Sequence, residues 1–441
     1  MKHPHNIRRA FHKEFSDWRV WSSRGLVVAF AAAAGLTVVG FTWLAEQAFD
    51  LFEALCRLAW WAPLLWTPLS TAVIVWLTRR YAAGAGGSGI PQVMAGLEPS
   101  TPTEQLGLFA SLRLSVAKIL LTAGGFLAGL SIGREGPSVQ VAAGVMLSAR
   151  RWLPERTTVT AHGLLVAGGA AGIAAAFNTP LAGVMFAIEE LSRTPEQRSS
   201  GLLMAAIVLA GLMAVSVNGN ATYFGIIHAA GIDLSLLLPG LLVALLSGLA
   251  GGLFSRLLIA SLSGTATDRF SRWRGRWPIW FAAGCGLAVA GLGLLTGGAV
   301  IGSGYGHTHD MLAGHDRTPA MFFSFKFIAT WLTAWSGVPA GIFAPSLAIG
   351  AALGNDVAQL LNYPHASALI ALGMVGFLAA ATQAPLTSFI IVMEMVDGHA
   401  MVLSLMACAM VARTVSHVLG PPLYANLALV QLQRLPGARS L

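Results

Sequence analysis

Apolar residues run along this chain in stretches of helical length, interrupted by short clusters of glycine, proline and charge. Such runs extend from Gly25 to Ala45, Leu58 to Thr78, Gly201 to Val217 and Trp277 to Leu295. A run of about 20 apolar residues, rising about 1.5 Å each, crosses the hydrocarbon of a bilayer. Each run is therefore predicted to be a membrane helix. No soluble fold hides so much apolar surface. Composition agrees: of 441 residues 55% are apolar and 10% charged, where a soluble domain carries about 25% charged residues. The expected fold class is all-α, a polytopic membrane protein.

The charge, +8 at neutral pH, lies at the edges of the apolar runs and is too dispersed for a nucleic-acid surface. Arg8, Arg9, Lys13 and Arg19 precede the first run, and Arg269, Arg272, Arg274 and Arg276 crowd one later loop. Basic flanks mark cytoplasmic segments, which places the N-terminus in the cytoplasm. The first run exceeds a signal-peptide core and lacks a cleavage site, so it is expected to stay as a span. Residues 1–24 then form a cytoplasmic segment, 25–430 a single transmembrane domain and 431–441 a short tail. Cys56, Cys285 and Cys408 are far apart beside apolar stretches, and read as small buried hydrophobes rather than disulfide or metal partners.

The chain contains 50 glycines, and an internal repeat accounts for many of them. Gly133-Arg134-Glu135-Gly136-Pro137-Ser138 in the first half is echoed by Gly341-Ile342-Phe343-Ala344-Pro345-Ser346 in the second. At the same offset Lys118 matches Lys326 and Gly129 matches Gly337. Pro180-Leu181 followed by Glu189 parallels Pro385-Leu386 followed by Glu394, and Gly87-Ser88-Gly89 parallels Gly302-Ser303-Gly304. The halves are expected at about 25–220 and 232–430. Repeats with Gly/Pro breaks at corresponding places mark transporters and channels built from broken helices. Such breaks survive in a membrane where the freed backbone is buried in protein or lines a cavity. The direction of the second copy is not readable from the repeat itself.

Each break ends in a proline followed by helical sequence, and proline suits the first turn of a helix. Each therefore delivers free N–H groups and a partial positive charge inside the membrane, a setting for an anion. Gly89, Gly136 and Ala344 are small enough for close approach to the backbone. No Gly-Lys-Ser/Thr follows, so the ligand is small and held by dipoles, weakly enough to leave again. Lys118 and Lys326 fit as charges that raise the local potential without touching the ion, or as side chains snorkelling to an interface. Glu135 is a carboxylate beside such a helix end, able to occupy the anion position itself and to leave it when protonated; an ion pair with Arg134 is the plainer reading. Glu189 and Glu190 stand near the end of the helix that begins at Pro180. Being adjacent, they point apart, and the repeat partner Glu394 marks Glu189 as structural and Glu190 as the additional, functional carboxylate. Arg193 could pair with one of them. His307, His309, Asp310, His315 and Asp316 lack metal-ligand spacing and read as a solvated loop.

These residues resemble the CLC chloride channels and transporters over nearly the whole length, from the first run to Tyr424. Gly87-Ser88-Gly89-Ile90-Pro91, Gly133-Arg134-Glu135-Gly136-Pro137 and Gly341-Ile342-Phe343-Ala344-Pro345 are similar to the three anion-pore signatures of that family, in order, and Pro422-Leu423-Tyr424 to its late tyrosine motif. The resemblance implies a homodimer with one pore per subunit and inverted halves. It implies chloride bound by the Ser88 and Tyr424 hydroxyls and by amides around Gly136, Ile342 and Phe343. Glu135 would then be the external gate and Glu190 the internal proton-transfer residue of the antiporter branch. Ser88 is of the chloride-preferring type. Gln92, where an acid is frequent, and Val338 and Ala340 depart from the pattern. The implied activity is exchange of chloride for protons across a cell membrane, the bacterial inner membrane, with no cofactor beyond the bound substrate ion. A passive chloride channel is the alternative within the family, and an intramembrane enzyme the alternative outside it.

Overall fold

A computed structural model describes residues 18–154, 157, 159–192, 201–219, 222–225, 234–264, 268–315 and 321–433. Arg8, Arg9, Lys13, Arg193 and Asp316, with most of the expected junction between the halves, lie outside these residues. Named strands are absent among the described residues, and the elements are helices. They are α1 (Trp18–Leu58), α2 (Pro63–Tyr81), α3 (Ile90–Leu97), α4 (Leu112–Leu127), α5 (Glu135–Ser148), α6 (Ala161–Phe177), α7 (Pro180–Phe186), α8 (Gly201–Asn218) and α9 (Leu237–Ser263). The order continues with α10 (Arg269–Arg276), α11 (Pro278–Leu295), α12 (Tyr305–Leu312), α13 (Phe322–Ser336), α14 (Phe343–Leu360), α15 (Ala366–Thr382), α16 (Pro385–Met395), α17 (Val402–Leu419) and α18 (Leu423–Gln433).

Two of the expected runs take other bounds. Helix α1 spans Trp18–Leu58, beyond both predicted ends, Gly25 and Ala45. The run from Leu58 to Thr78 is not one helix: the chain turns at Ala59–Ala62 and restarts at Pro63, because proline at the first position starts a helix better than it continues one.

The repeat is explicit in the order of elements. Helices α1 to α8 correspond in turn to α9, α11, α12, α13, α14, α15, α16 and α17. Gly129 and Gly337, paired by the repeat, both take positive φ, 71° and 92°, at the ends of α4 and α13. Asn178 and Gln383 end α6 and α15 in the same left-handed conformation, just before the prolines of α7 and α16.

Direction is settled by the contacts between halves. Gly133 and Gly341 form an antiparallel bridge, with N–H···O distances of 2.8 and 3.0 Å. The carboxylate of Glu189, just beyond α7, accepts from Leu386 N and Thr387 N at 3.0 and 2.6 Å, at the start of α16. The carboxylate of Glu394, near the end of α16, accepts from Leu181 N and Ala182 N at 3.3 and 2.7 Å, at the start of α7. Each helix end thus caps the other's beginning, so α7 and α16 run in opposite directions. The halves are inverted.

Five helices among the described residues are long and apolar enough to cross a membrane, including α1, α9, α11 and α17. Their outer faces carry exposed Leu36, Trp43, Leu241, Leu249 and Leu287, as a lipid-facing surface does. Helices α6 and α15 are buried along almost their whole length. Small residues permit this: a Cβ on Gly168 would come within 2.6 Å of the Ala143 Cα in α5. With lipid as apolar as the side chains, such close backbone packing replaces the hydrophobic drive between helices.

Candidate functional site

Three helices begin inside the protein, at Ile90, Glu135 and Phe343, each with its first turn buried. Their first amides have no intrahelical carbonyl to bond. The Gly133–Gly341 bridge fixes the starts of α5 and α14 side by side. The segment before α3 turns through Gly87 and Gly89 at φ 76° and 108°, values that favour glycine. Gly89 is also packed tightly, since a Cβ there would lie 2.6 Å from Gly136 O. Its smallness brings α3's entrance against α5, a packing reason beside the expected ligand one.

Lys118 and Lys326 are both fully buried, and neither snorkels. Lys118 Nζ donates to Ala85 O and Gly87 O at 2.8 and 2.6 Å, and Lys326 Nζ to Val300 O and Gly302 O at 2.9 and 2.8 Å. Each amine clamps the glycine-rich turn of its own half by satisfying carbonyls freed where the helix breaks. The lysines, expected as field-raising charges or as snorkelling side chains, are structural ties here. Gln92 closes the same turn from inside: its Oε1 accepts from Gly89 N at 2.9 Å and its Nε2 donates to Gly86 O. An acid could accept but not donate there. Gln140 Nε2 donates to Gly84 O and Phe109 O at 2.8 and 2.7 Å. These two glutamines hold the site and were not singled out by the repeat, because they lack a counterpart in the other half.

Glu135 is wholly buried. Its Oε2 accepts from Ala344 N at 3.4 Å, while Oε1 has no partner. The carboxylate of one half therefore lies at the amide end of the other half's helix. Arg134 does not neutralise it by a direct pair; its Nη1 reaches Glu46 Oε1 at 2.8 Å instead. In the repeat, Glu135 corresponds to Phe343, so one helix start bears a carboxylate and its mate an aromatic ring.

Ser88 and Tyr424 are brought together in the lining of one cavity. Their hydroxyl oxygens are buried and within electrostatic reach of each other, and neither has a hydrogen-bond partner. Gly136 packs against Ser88, where a Cβ would collide with Oγ. Phe343 and Tyr424 stack with rings 3° from parallel. A buried hydroxyl without a partner is costly, and two unpartnered hydroxyls within reach of each other suit an anion that accepts from both.

Two cavities approach this constriction. One of about 670 Å³ is lined by Ser88, Ile342, Tyr424, Gly337, Arg79 and Arg274. The other, of about 530 Å³, is lined by Glu46, Arg134, Tyr223, Tyr305 and His307. Arg79 lies at the end of α2, a full helix length from the turn at Ala59–Ala62, whereas Glu46 lies in the half of α1 nearest that turn. The cavities therefore open toward opposite faces, with Glu135, Gly136 and Phe343 between them. His307, His309 and Asp310 belong to helix α12 rather than to the expected loop, and His307 lines the second cavity.

Glu190 is half-buried on a π-helical turn, Ala187–Leu191, that continues α7. Such turns are rare and recur at functional sites. The extra residue per turn lets Glu189 cap α16 while Glu190 points elsewhere, within electrostatic reach of Tyr424. The predicted division of the pair corresponds to two different settings.

Comparison with known proteins agrees with this architecture. The voltage gated chloride channel family matches residues 70–417. The chain is 31% identical to the H(+)/Cl(-) exchange transporter ClcA of Salmonella typhimurium, over 91% of this chain and 88% of that protein. It is equally similar to ClcA of Citrobacter koseri, with the same coverage. Among solved structures, a slow cyanobacterial Cl-/H+ antiporter superposes with a TM-score of 0.80 at 25% identity, covering 93% of this chain and 98% of the other. A eukaryotic CLC transporter shares the fold, with a TM-score of 0.73 at 20% identity over 93% of this chain and 74% of the other. Broken, inverted, cross-capped helices and three buried helix starts in one place thus accompany a match over most of the sequence: the chain belongs to the voltage gated chloride channel (CLC) family.

Proposed function

We propose that the protein exchanges chloride for protons across a membrane, driven by the two ion gradients. The observation that carries this reading is the buried Glu135 carboxylate at the amide end of α14. A negatively charged group already occupies a place suited to a small anion, and it can be neutralised by a proton. Ionised, Glu135 competes with chloride; protonated, it loses its attraction to the helix ends and vacates the path. Each departure then couples anion movement to protonation. The names of the ClcA relatives and the cyanobacterial antiporter support the same activity.

In this reading Ser88, Tyr424 and the amides around Gly136, Ile342 and Phe343 hold chloride. Helix-end dipoles contribute about 0.3–2 kcal/mol each, enough to hold an ion that must also depart. Gly87, Gly89, Ile90, Pro91, Gly133, Gly341, Pro137 and Pro345 shape the three helix starts, and Arg134 stands at the outer cavity. Glu190 passes protons toward Glu135 from the Tyr424 side. The membrane is a bacterial inner membrane, with the N-terminus and the Tyr424 cavity facing the cytoplasm, as the basic flank of α1 and the arginines of α10 support. The functional unit is a homodimer; exposed Val208 and Leu212 on α8 and Leu403 and Met410 on α17 offer apolar faces for it.

Paired ion fluxes from liposomes holding the purified protein test the reading. A chloride gradient is expected to drive protons uphill in the opposite sense. Chloride movement with a reversal potential blind to the pH gradient would reject exchange.

A further inference from the structure

Helix α10, RFSRWRGR, lies between two membrane helices and buries none of its residues. Its side chains are nevertheless sorted. Arg269, Arg272 and Arg276 fall at spacings of three and four, on one face, and all three are exposed. Phe270, Trp273 and Trp277 follow the same spacing on the neighbouring face. Asp268, the acid beside them, is committed to capping the helix, accepting from Phe270 N and Ser271 N at 3.0 and 3.1 Å.

The aromatic face rests on a set of rings from α11 and α13. Trp273 meets Phe281 at 5.3 Å, Phe270 meets Trp335 at 6.2 Å, and Trp331 stacks on Trp335 at 5.0 Å. They do not close the space. A cavity of about 680 Å³ remains, lined by Leu257, Ala260, Phe281, Ala288, Trp331 and Trp335. Ala260 and Ala288 at its edge are exposed. Trp335, only 8% exposed, has an indole N–H without a partner. Arg274 leaves this assembly for the inner cavity: its Nη1 donates to Ser261 O at 3.0 Å, and Trp331 Nε1 donates to Ser261 Oγ at 2.9 Å.

A cationic stripe above an apolar, tryptophan-walled recess at the membrane edge matches an amphiphile with an anionic head. We propose that α10 and the cavity beneath it bind an anionic phospholipid, its phosphate on Arg269, Arg272 and Arg276 and one acyl chain among Phe281, Trp331 and Trp335. The cavity volume lies within the range of about 300–1,000 Å³ usual for ligand sites. Because the same helix presents Arg274 to the Tyr424 cavity, the lipid would brace a cationic side chain at the mouth of the anion path. The site is independent of whether that path exchanges or merely conducts.

Native mass spectrometry of the purified full-length protein, incubated with equal phosphatidylglycerol and phosphatidylcholine, tests the site. Each arginine near a lipid phosphate is worth about a factor of five in binding, so wild type is expected to retain phosphatidylglycerol at least about tenfold in preference. R269Q/R272Q/R276Q should bring the two lipids to near parity with an unchanged melting temperature. A288F, which fills the cavity and keeps every charge, should lower retention of phosphatidylglycerol. Excess glycerol phosphate, which has the head but no chains, should not displace it. Equal retention of the two lipids by wild type, a preference that survives the triple substitution, or displacement by glycerol phosphate would each overturn the proposal. The wild-type arms decide the matter even if a variant misfolds.

Discussion

At the scale of single residues, the proposed exchange rests on two carboxylates. Glu135 sits buried at an amide end and Glu190 lies within electrostatic reach of Tyr424, so the proposed exchange needs each for proton movement and neither for holding chloride. Glu135→Ala is expected to keep chloride flux while proton flux falls to background. Glu190→Gln should lower proton flux on the order of a hundredfold, the scale of a missing proton-transfer group, with chloride still passing. Simultaneous chloride and pH electrodes on liposomes read both; unaltered coupling in Glu190→Gln would remove it from the proposed route. Both glutamates stand out in the sequence because ionisable groups in apolar runs are costly and mostly functional. Tyr424 does not. Nothing in its neighbours separates it from an interfacial aromatic, and only the family resemblance pointed to it. Gln140 went unread, and Gln92 was read only as a departure from the family pattern, because both pair with backbone groups of turns whose shape no local pattern reveals.

At the scale of elements, the fold is held by exchanges between the halves. Glu189 and Glu394 each cap the first turn of the opposite helix, and Lys118 and Lys326 each tie the turn of their own half. Glu394→Ala would leave Leu181 N–H and Ala182 N–H without their acceptor, at a cost of about 1–3 kcal/mol. The melting temperature in detergent should fall by several degrees, and the proton-to-chloride ratio should also change, because α7 leads into the turn that carries Glu190. A melting curve and ratio identical to wild type would show the caps to be incidental. The repeat disclosed which elements correspond, since Gly, Pro, Lys and Glu recur at matching offsets. It could not disclose inversion, which is a relation in space: an antiparallel bridge and a pair of reciprocal caps had to be seen. Nor could it show that the Leu58–Thr78 run is broken, because the turn is itself apolar.

At the scale of the whole molecule, two cavities are separated by a thin buried layer built from both halves. Inversion brings two equivalent helix starts to one point from opposite sides, so a single ion can face amides of α5 and α14 together. The halves differ at that point, a buried carboxylate at Glu135 against the ring of Phe343 stacked on Tyr424, and in the proposed exchange the carboxylate is the gate. The most direct test of this arrangement is the anomalous scattering of bromide in crystals of the wild type and of Glu135→Gln. A bromide is expected between the Ser88 and Tyr424 hydroxyls in both, and a second bromide at the amides of Gly136 and Ala344 when the carboxylate is replaced. Bromide absent from those amides in the variant, or bound only at surface arginines in both, would contradict it.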